Sequence, residues 1–91
     1  LFGASSKGVM ICNYLDPECE KIRGLIDFNS KKWSKYIPGT GHYIYSSEEF
    51  HKLSLTENDL LIIANRNYKD EITRFIKEGF VYQIKVIEEM I

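Results

Sequence analysis

Apolar residues fall in short clusters separated by polar punctuation, and the clusters change period along the chain. Leu1-Phe2 reads as the end of a strand and Gly3 to Gly8 as a glycine-flanked turn. A helix carrying Val9, Met10, Ile11, Cys12, Tyr14 and Leu15 is expected next, stopped by Asp16-Pro17. Ile22 to Phe28 is a short apolar run ending on Asp27 and Asn29, the pattern of a buried parallel strand. Ser30 to Gly41 is a mainly polar stretch and predicts a long loop. His42 to Tyr45 alternates with β-favouring residues, and Ser46-Ser47-Glu48-Glu49 then forms a capping box ahead of Phe50 and Leu53 on a short helix.

The second half repeats the alternation. Leu60 to Ala64 is fully apolar and predicts a central strand with helices on both faces. Asn65-Arg66-Asn67 breaks it, and Ile72, Phe75 and Ile76 recur at helical spacing up to a stop at Gly79. Phe80 to Val86 supplies a last strand. Strands alternating with helices predict one α/β domain over residues 1–91. The expected architecture is a small, doubly wound, Rossmann-like parallel sheet of about five strands in the order 3-2-1-4-5.

In an open sheet of that order, ligands bind beyond the carboxyl ends of the strands, where Gly3 to Gly8, Asp27 to Asn29 and Asn65 to Asn67 would converge. Gly3-Ala4-Ser5-Ser6-Lys7-Gly8 is a dinucleotide fingerprint with serine at its middle glycine. That substitution argues against standard NAD binding, because the middle glycine lets backbone approach a pyrophosphate. Ser5 and nearby N–H groups still suit one phosphate at a helix N-terminus, and Lys7 adds a point charge. A P-loop is excluded, since Val9 rather than lysine follows Gly8. Asp27 falls where an acidic residue takes a ribose hydroxyl, and Arg66 is placed to clamp a phosphate bidentately. The competing reading makes the glycines helix–strand packing contacts and Asp27 a cap for the loop that follows.

Charge removes several alternatives. Twelve Lys and Arg against thirteen Asp and Glu leave a net charge of -1, so a nucleic-acid footprint is absent even where Lys31, Lys32, Trp33, Lys35 and Tyr36 interleave bases with aromatics. Apolar content of 44% and charged content of 27% fit a globular domain, and no apolar run approaches membrane-spanning length. Cys12, Cys19, His42 and His51 lack metal-ligand spacing, so no metal is expected. No nucleophile has a sequence-local base, and the domain is expected to be non-catalytic by itself. The isolated cysteines and the lack of a recognisable leader predict a cytoplasmic setting, and the abrupt start at Leu1 predicts a domain cut from a longer enzyme.

Taken together, several motifs resemble the C-terminal domain of the sugar C-methyltransferase family and related modules of polysaccharide-biosynthesis enzymes. They are the Gly3 to Gly8 turn, Asn13-Tyr14, Asp27-Phe28-Asn29 with Lys32, Pro38-Gly39-Thr40, the Ser46 and Glu48 helix start, and Asn67 with Lys69 to Ile72. The resemblance implies a preceding catalytic domain that holds S-adenosylmethionine, while this domain carries no cofactor and helps frame a nucleotide or nucleotide-sugar. The sheet edge and these motifs together make Gly3, Ala4, Ser5, Ser6, Lys7, Gly8, Asp27, Asn29, Lys32, Asn65, Arg66 and Asn67 the expected ligand-binding residues. A structural or docking domain without a ligand of its own is the alternative.

Overall fold

The computed structural model describes residues 1–65, 67, 69–75 and 83–87. Helix α1 spans Ser6–Leu15, and β1 covers Leu25–Ile26. A 3-10 turn at Ser30–Lys32 leads into β2, Lys35–Tyr36, and β3, Tyr43–Tyr45. Helix α2 is Ser47–His51, β4 is Leu60–Ile63, α3 is Lys69–Phe75 and β5 is Gln83–Val86.

The strand pairing corrects the expected fold class. Instead of a five-stranded, doubly wound, Rossmann-like parallel sheet, the strands form a mixed three-stranded sheet, β1-β3-β2, and a two-stranded parallel sheet, β4-β5. β3 is parallel to β1 but antiparallel to β2. The predicted first strand contributes only Phe2, which makes single parallel bridges to Ile26 and to Ile63.

Two local causes account for the difference. The stretch read as a loop contains a hairpin, with Lys35 opposite Ile44 and Tyr36 opposite Tyr43. Left-handed backbone at Ser34, Gly39 and Gly41 turns the chain into and out of it. Both β2 residues are exposed, so this edge strand carries no buried alternation that a hydrophobic pattern would reveal. The second cause is length, since β1 holds two residues where the apolar run 22–28 suggested a full strand. The expected last strand starts at Gln83, and its first residues, with Ile76 and the Gly79 stop, lie outside the described residues.

Alternating side chains feed two apolar clusters. Leu1, Ala4, Ile11, Cys12, Leu25, Ile37 and Ile44 pack in the cluster that α1 covers. Phe2, Ile26, Phe50, Leu61, Ile63, Ile72 and Val86 pack in the cluster that α2 and α3 cover. Neighbours along one strand, such as Leu25 and Ile26, therefore enter opposite clusters, as the period of two requires. Cys12 is wholly buried, as its place in the α1 pattern suggested, and His51 is exposed.

Candidate functional site

Backbone pairing draws the Gly3 turn, the end of β1 and the end of β4 together. The Gly3 N–H donates to the Ile26 carbonyl at 2.7 Å, and the Ala64 N–H donates to the Phe2 carbonyl at 3.1 Å. Gly3 has φ +119°, and a side chain there would meet the Ala64 methyl at 3.2 Å. Gly8 is tighter still, because a Cβ would stand 1.7 Å from the Gly3 carbonyl oxygen. The first turn of α1 thus lies directly on the strand-to-helix turn, a contact only glycine permits.

Asp27 fastens this corner. One carboxylate oxygen accepts the Ala4 N–H at 2.8 Å and the other accepts the Asn29 N–H at 2.8 Å. The Asn29 side chain in turn accepts the Lys31 N–H at 3.0 Å, and its carbonyl accepts the Lys32 N–H at 3.0 Å. Trp33 reaches back, its indole N–H donating to the Asp27 carbonyl at 2.8 Å. The basic, aromatic segment, expected as part of a long loop, is therefore an anchored turn and an exposed edge strand. The Phe2 and Phe28 rings meet beside it, with centroids 4.9 Å apart.

Of the residues expected at the site, Gly3, Ala4, Gly8, Asp27, Asn29 and Lys32 form one connected corner. Ser5, Ser6 and Lys7 are exposed at the start of α1. Asn65 follows β4 beside the Gly3 turn, and its side chain accepts the Asn67 N–H at 3.0 Å, closing a local turn. Arg66, the expected phosphate clamp, lies outside the described residues.

The helix start at this corner differs from the other two. Ser5 provides no side-chain cap to α1, and the first turn of α1 contains no acidic residue. α2 opens with Glu48 and Glu49, and α3 with Asp70 and Glu71. The partial positive charge of N–H groups at a helix start attracts an anion, and in α1 no carboxylate of the first turn supplies one.

One polar cluster escaped the sequence reading. His42 and Asp16 are both buried, and the His42 Nε2 stands 2.8 Å from Asp16 Oδ2. A carboxylate only accepts, so Nε2 is the donor. The other ring nitrogen meets the Thr40 hydroxyl. Asp16 also accepts the N–H groups of Glu20, Lys21 and Ile22. Burial opposes its charge, but the Ile22 N–H, the His42 ring and the remaining N–H donors outweigh that and hold its carboxyl well below the usual range. With its carboxylate committed on every side, the cluster ties the end of α1 to the start of β3. The visible signal was limited to Asp16 as a helix stop, because its partner lies across the hairpin.

Among the described residues no group of three or more His, Cys, Asp or Glu side chains suits a metal ion, and no helix is long and apolar enough to cross a membrane. A family model described as C-methyltransferase C-terminal domain matches residues 1–87. No curated protein and no solved structure matches the chain.

Proposed function

The chain belongs to the C-methyltransferase C-terminal domain family, and from that membership we propose that it is a nucleotide-sugar or nucleotide binding module of a sugar methyltransferase. The parent enzyme, in this reading, is cytoplasmic and acts in surface-polysaccharide biosynthesis. The observation that carries the binding role is the start of α1, which has neither a side-chain cap nor a first-turn acid and opens at the corner built by Gly3, Asp27 and Asn65. A phosphate seated there would accept N–H groups of the first turn, with the Ser5 and Ser6 hydroxyls and Lys7 at hand.

Asp27 acts as the cap of the loop that follows it, and it also holds the Gly3 turn. Both of its oxygens hold backbone N–H groups and so shape the corner, and each keeps a lone pair that a ribose hydroxyl could use. In the same reading the methyl donor, S-adenosylmethionine, belongs to a catalytic domain preceding this one in the parent chain. That domain would supply the methyl group, and this one would hold the phosphate-bearing end of the acceptor sugar.

Titration with a nucleoside diphosphate, followed by backbone amide shifts, tests the proposal. Shifts concentrated at residues 3–8, 27–29, 65 and 67 are expected; none at millimolar ligand would contradict it. A docking role remains as a second reading on one observation. Met10 and Tyr14, one turn apart on α1, are 64% and 84% exposed. That reading predicts no nucleotide-induced shifts at the corner.

A further inference from the structure

A hydroxyl, an imidazole and a carboxylate stand in line where the β2–β3 hairpin meets the end of α1. His42 is 1% exposed, its Nε2 donates to Asp16 Oδ2 at 2.8 Å, and its Nδ1 meets the Thr40 hydroxyl. In a neutral ring protonated at Nε2, Nδ1 carries only a lone pair, so Thr40 is the donor in that contact. We propose that Thr40 is a nucleophile, activated by His42 and Asp16, that takes the acyl group of an activated ester.

Each member is equipped for its part. The N–H groups of Glu20, Lys21 and Ile22 fix the Asp16 carboxylate and help keep it ionised, so it holds the imidazole in one tautomer and stabilises the imidazolium. Asp16 is thus a positioning residue. Thr40 is only half-buried, and a Cβ built on the next residue, Gly41, would meet nothing within 4 Å, which leaves room for an acyl group beside the hydroxyl. The loop itself is held, since the Asn13 amide on α1 donates to the Pro38 carbonyl at 3.4 Å and lies against Gly39. Water alone would satisfy a threonine hydroxyl on a hairpin loop. Burying an imidazole and a carboxylate beneath it carries a desolvation cost that apolar packing would avoid.

The step balances within these groups. Thr40 Oγ1 attacks the acyl carbonyl carbon while its proton passes to His42 Nδ1. The new C–O bond leaves an ester on Thr40, the bond to the alkoxide or phenolate breaks, and that leaving group takes the proton from His42. Parallel pairing of Leu25 with Ile44 and of Ile26 with Tyr45 puts the start of β3, and with it His42, at the end of the strands away from the anion corner. The acyl site is therefore separate from the proposed nucleotide site.

The probe is p-nitrophenyl acetate, read by nitrophenolate release and by mass-spectrometric mapping of the acetyl group on the folded chain. Thr56 and Thr73 are internal controls, because their hydroxyls donate to an Asp59 oxygen and to the Lys69 carbonyl rather than to an imidazole. Thr40 is expected to be acetylated at least about a hundredfold faster than either, the smallest gain usual for a positioned base. Thr40→Ser should keep the reaction, and His42→Gln should bring Thr40 down to the rate of Thr56. A smaller preference in the unaltered chain overturns the proposal, and that comparison needs no variant to fold. Undiminished acetylation of Thr40 in folded His42→Gln overturns it too, as does acetyl found on His42 in place of Thr40, which would make the imidazole itself the nucleophile.

Discussion

Two helix starts in this small domain solve the same problem in opposite ways. At α2 the Ser46 hydroxyl accepts the Glu49 N–H at 3.1 Å, and the Glu49 carboxylate accepts the Ser46 N–H at 2.9 Å. Glu49 also accepts the Tyr43 hydroxyl at 2.8 Å, so the cap is tied into β3. At α1 the sequence places Ser5 at the capping position, yet its side chain makes no cap, and Gly8 occupies the position where α2 has Glu49. A glutamate cannot stand there, because Gly8 lies on the Gly3 carbonyl. The contrast teaches that close packing and an internal acid are alternatives at a helix start, and the proposed function gives the packed start an external anion in place of the acid.

The largest way to break the contrast is Gly8→Val. Its side chain would collide with the Gly3 carbonyl, and overpacking of this kind should cost about 3 kcal/mol or more. Chemical denaturation should show that loss together with lost nucleotide affinity; a variant that melts and binds normally would remove the turn from both roles.

Acid should act next, through carboxylates held by donors. Asp16 and Glu49 both have lowered pKa values in the fold, Glu49 through the Ser46 N–H first and then the Tyr43 hydroxyl. A carboxylate lowered on folding stabilises fully above its unfolded value of about 4, and that contribution is lost as pH falls below it. The part of the urea midpoint set by these two carboxylates should therefore be level above that range and decline beneath it. Asp16→Asn should flatten the decline, and an unchanged acid profile in that variant would show that the buried cluster is not its source.

Asp27→Asn removes one of two charged acceptors at the corner and should cost about 1.5 kcal/mol, with weaker nucleotide binding because the turn loosens. Ser46→Ala should cost about 1 kcal/mol, measured by thermal unfolding, and leave nucleotide affinity unchanged. Equal affinity losses in the two variants would mean that binding follows overall stability rather than the corner.

These differences also explain what the residue pattern disclosed. The α2 cap was readable because Ser46 and Glu49 are neighbours in sequence, and β4 because Leu60 to Ile63 is an unbroken apolar run. Asp16-Pro17 ended α1 where expected, its last residue being Leu15. The α1 corner was legible as glycine spacing and Asp27 as a cap of its own loop, but its hold on Ala4 was not, since that depends on Ala4 lying across a strand pairing. Long-range polar partners such as Asp16 and His42 leave no periodic trace. The parallel-sheet expectation failed for a related reason: alternating elements suggested crossovers, while Lys35 and Tyr36 pair through backbone and leave both side chains exposed.

Ser6→Asp tests the central claim most directly, because it supplies to α1 the first-turn acid that α2 already has. A negative charge at that position should stabilise the helix by about 0.5 kcal/mol and compete with a bound phosphate. Thermal unfolding and nucleoside-diphosphate titration of the same variant should move in opposite directions, with Tm slightly higher and affinity at least tenfold lower. A raised Tm with unchanged affinity would contradict the account, showing that the start of α1 is unoccupied by the ligand.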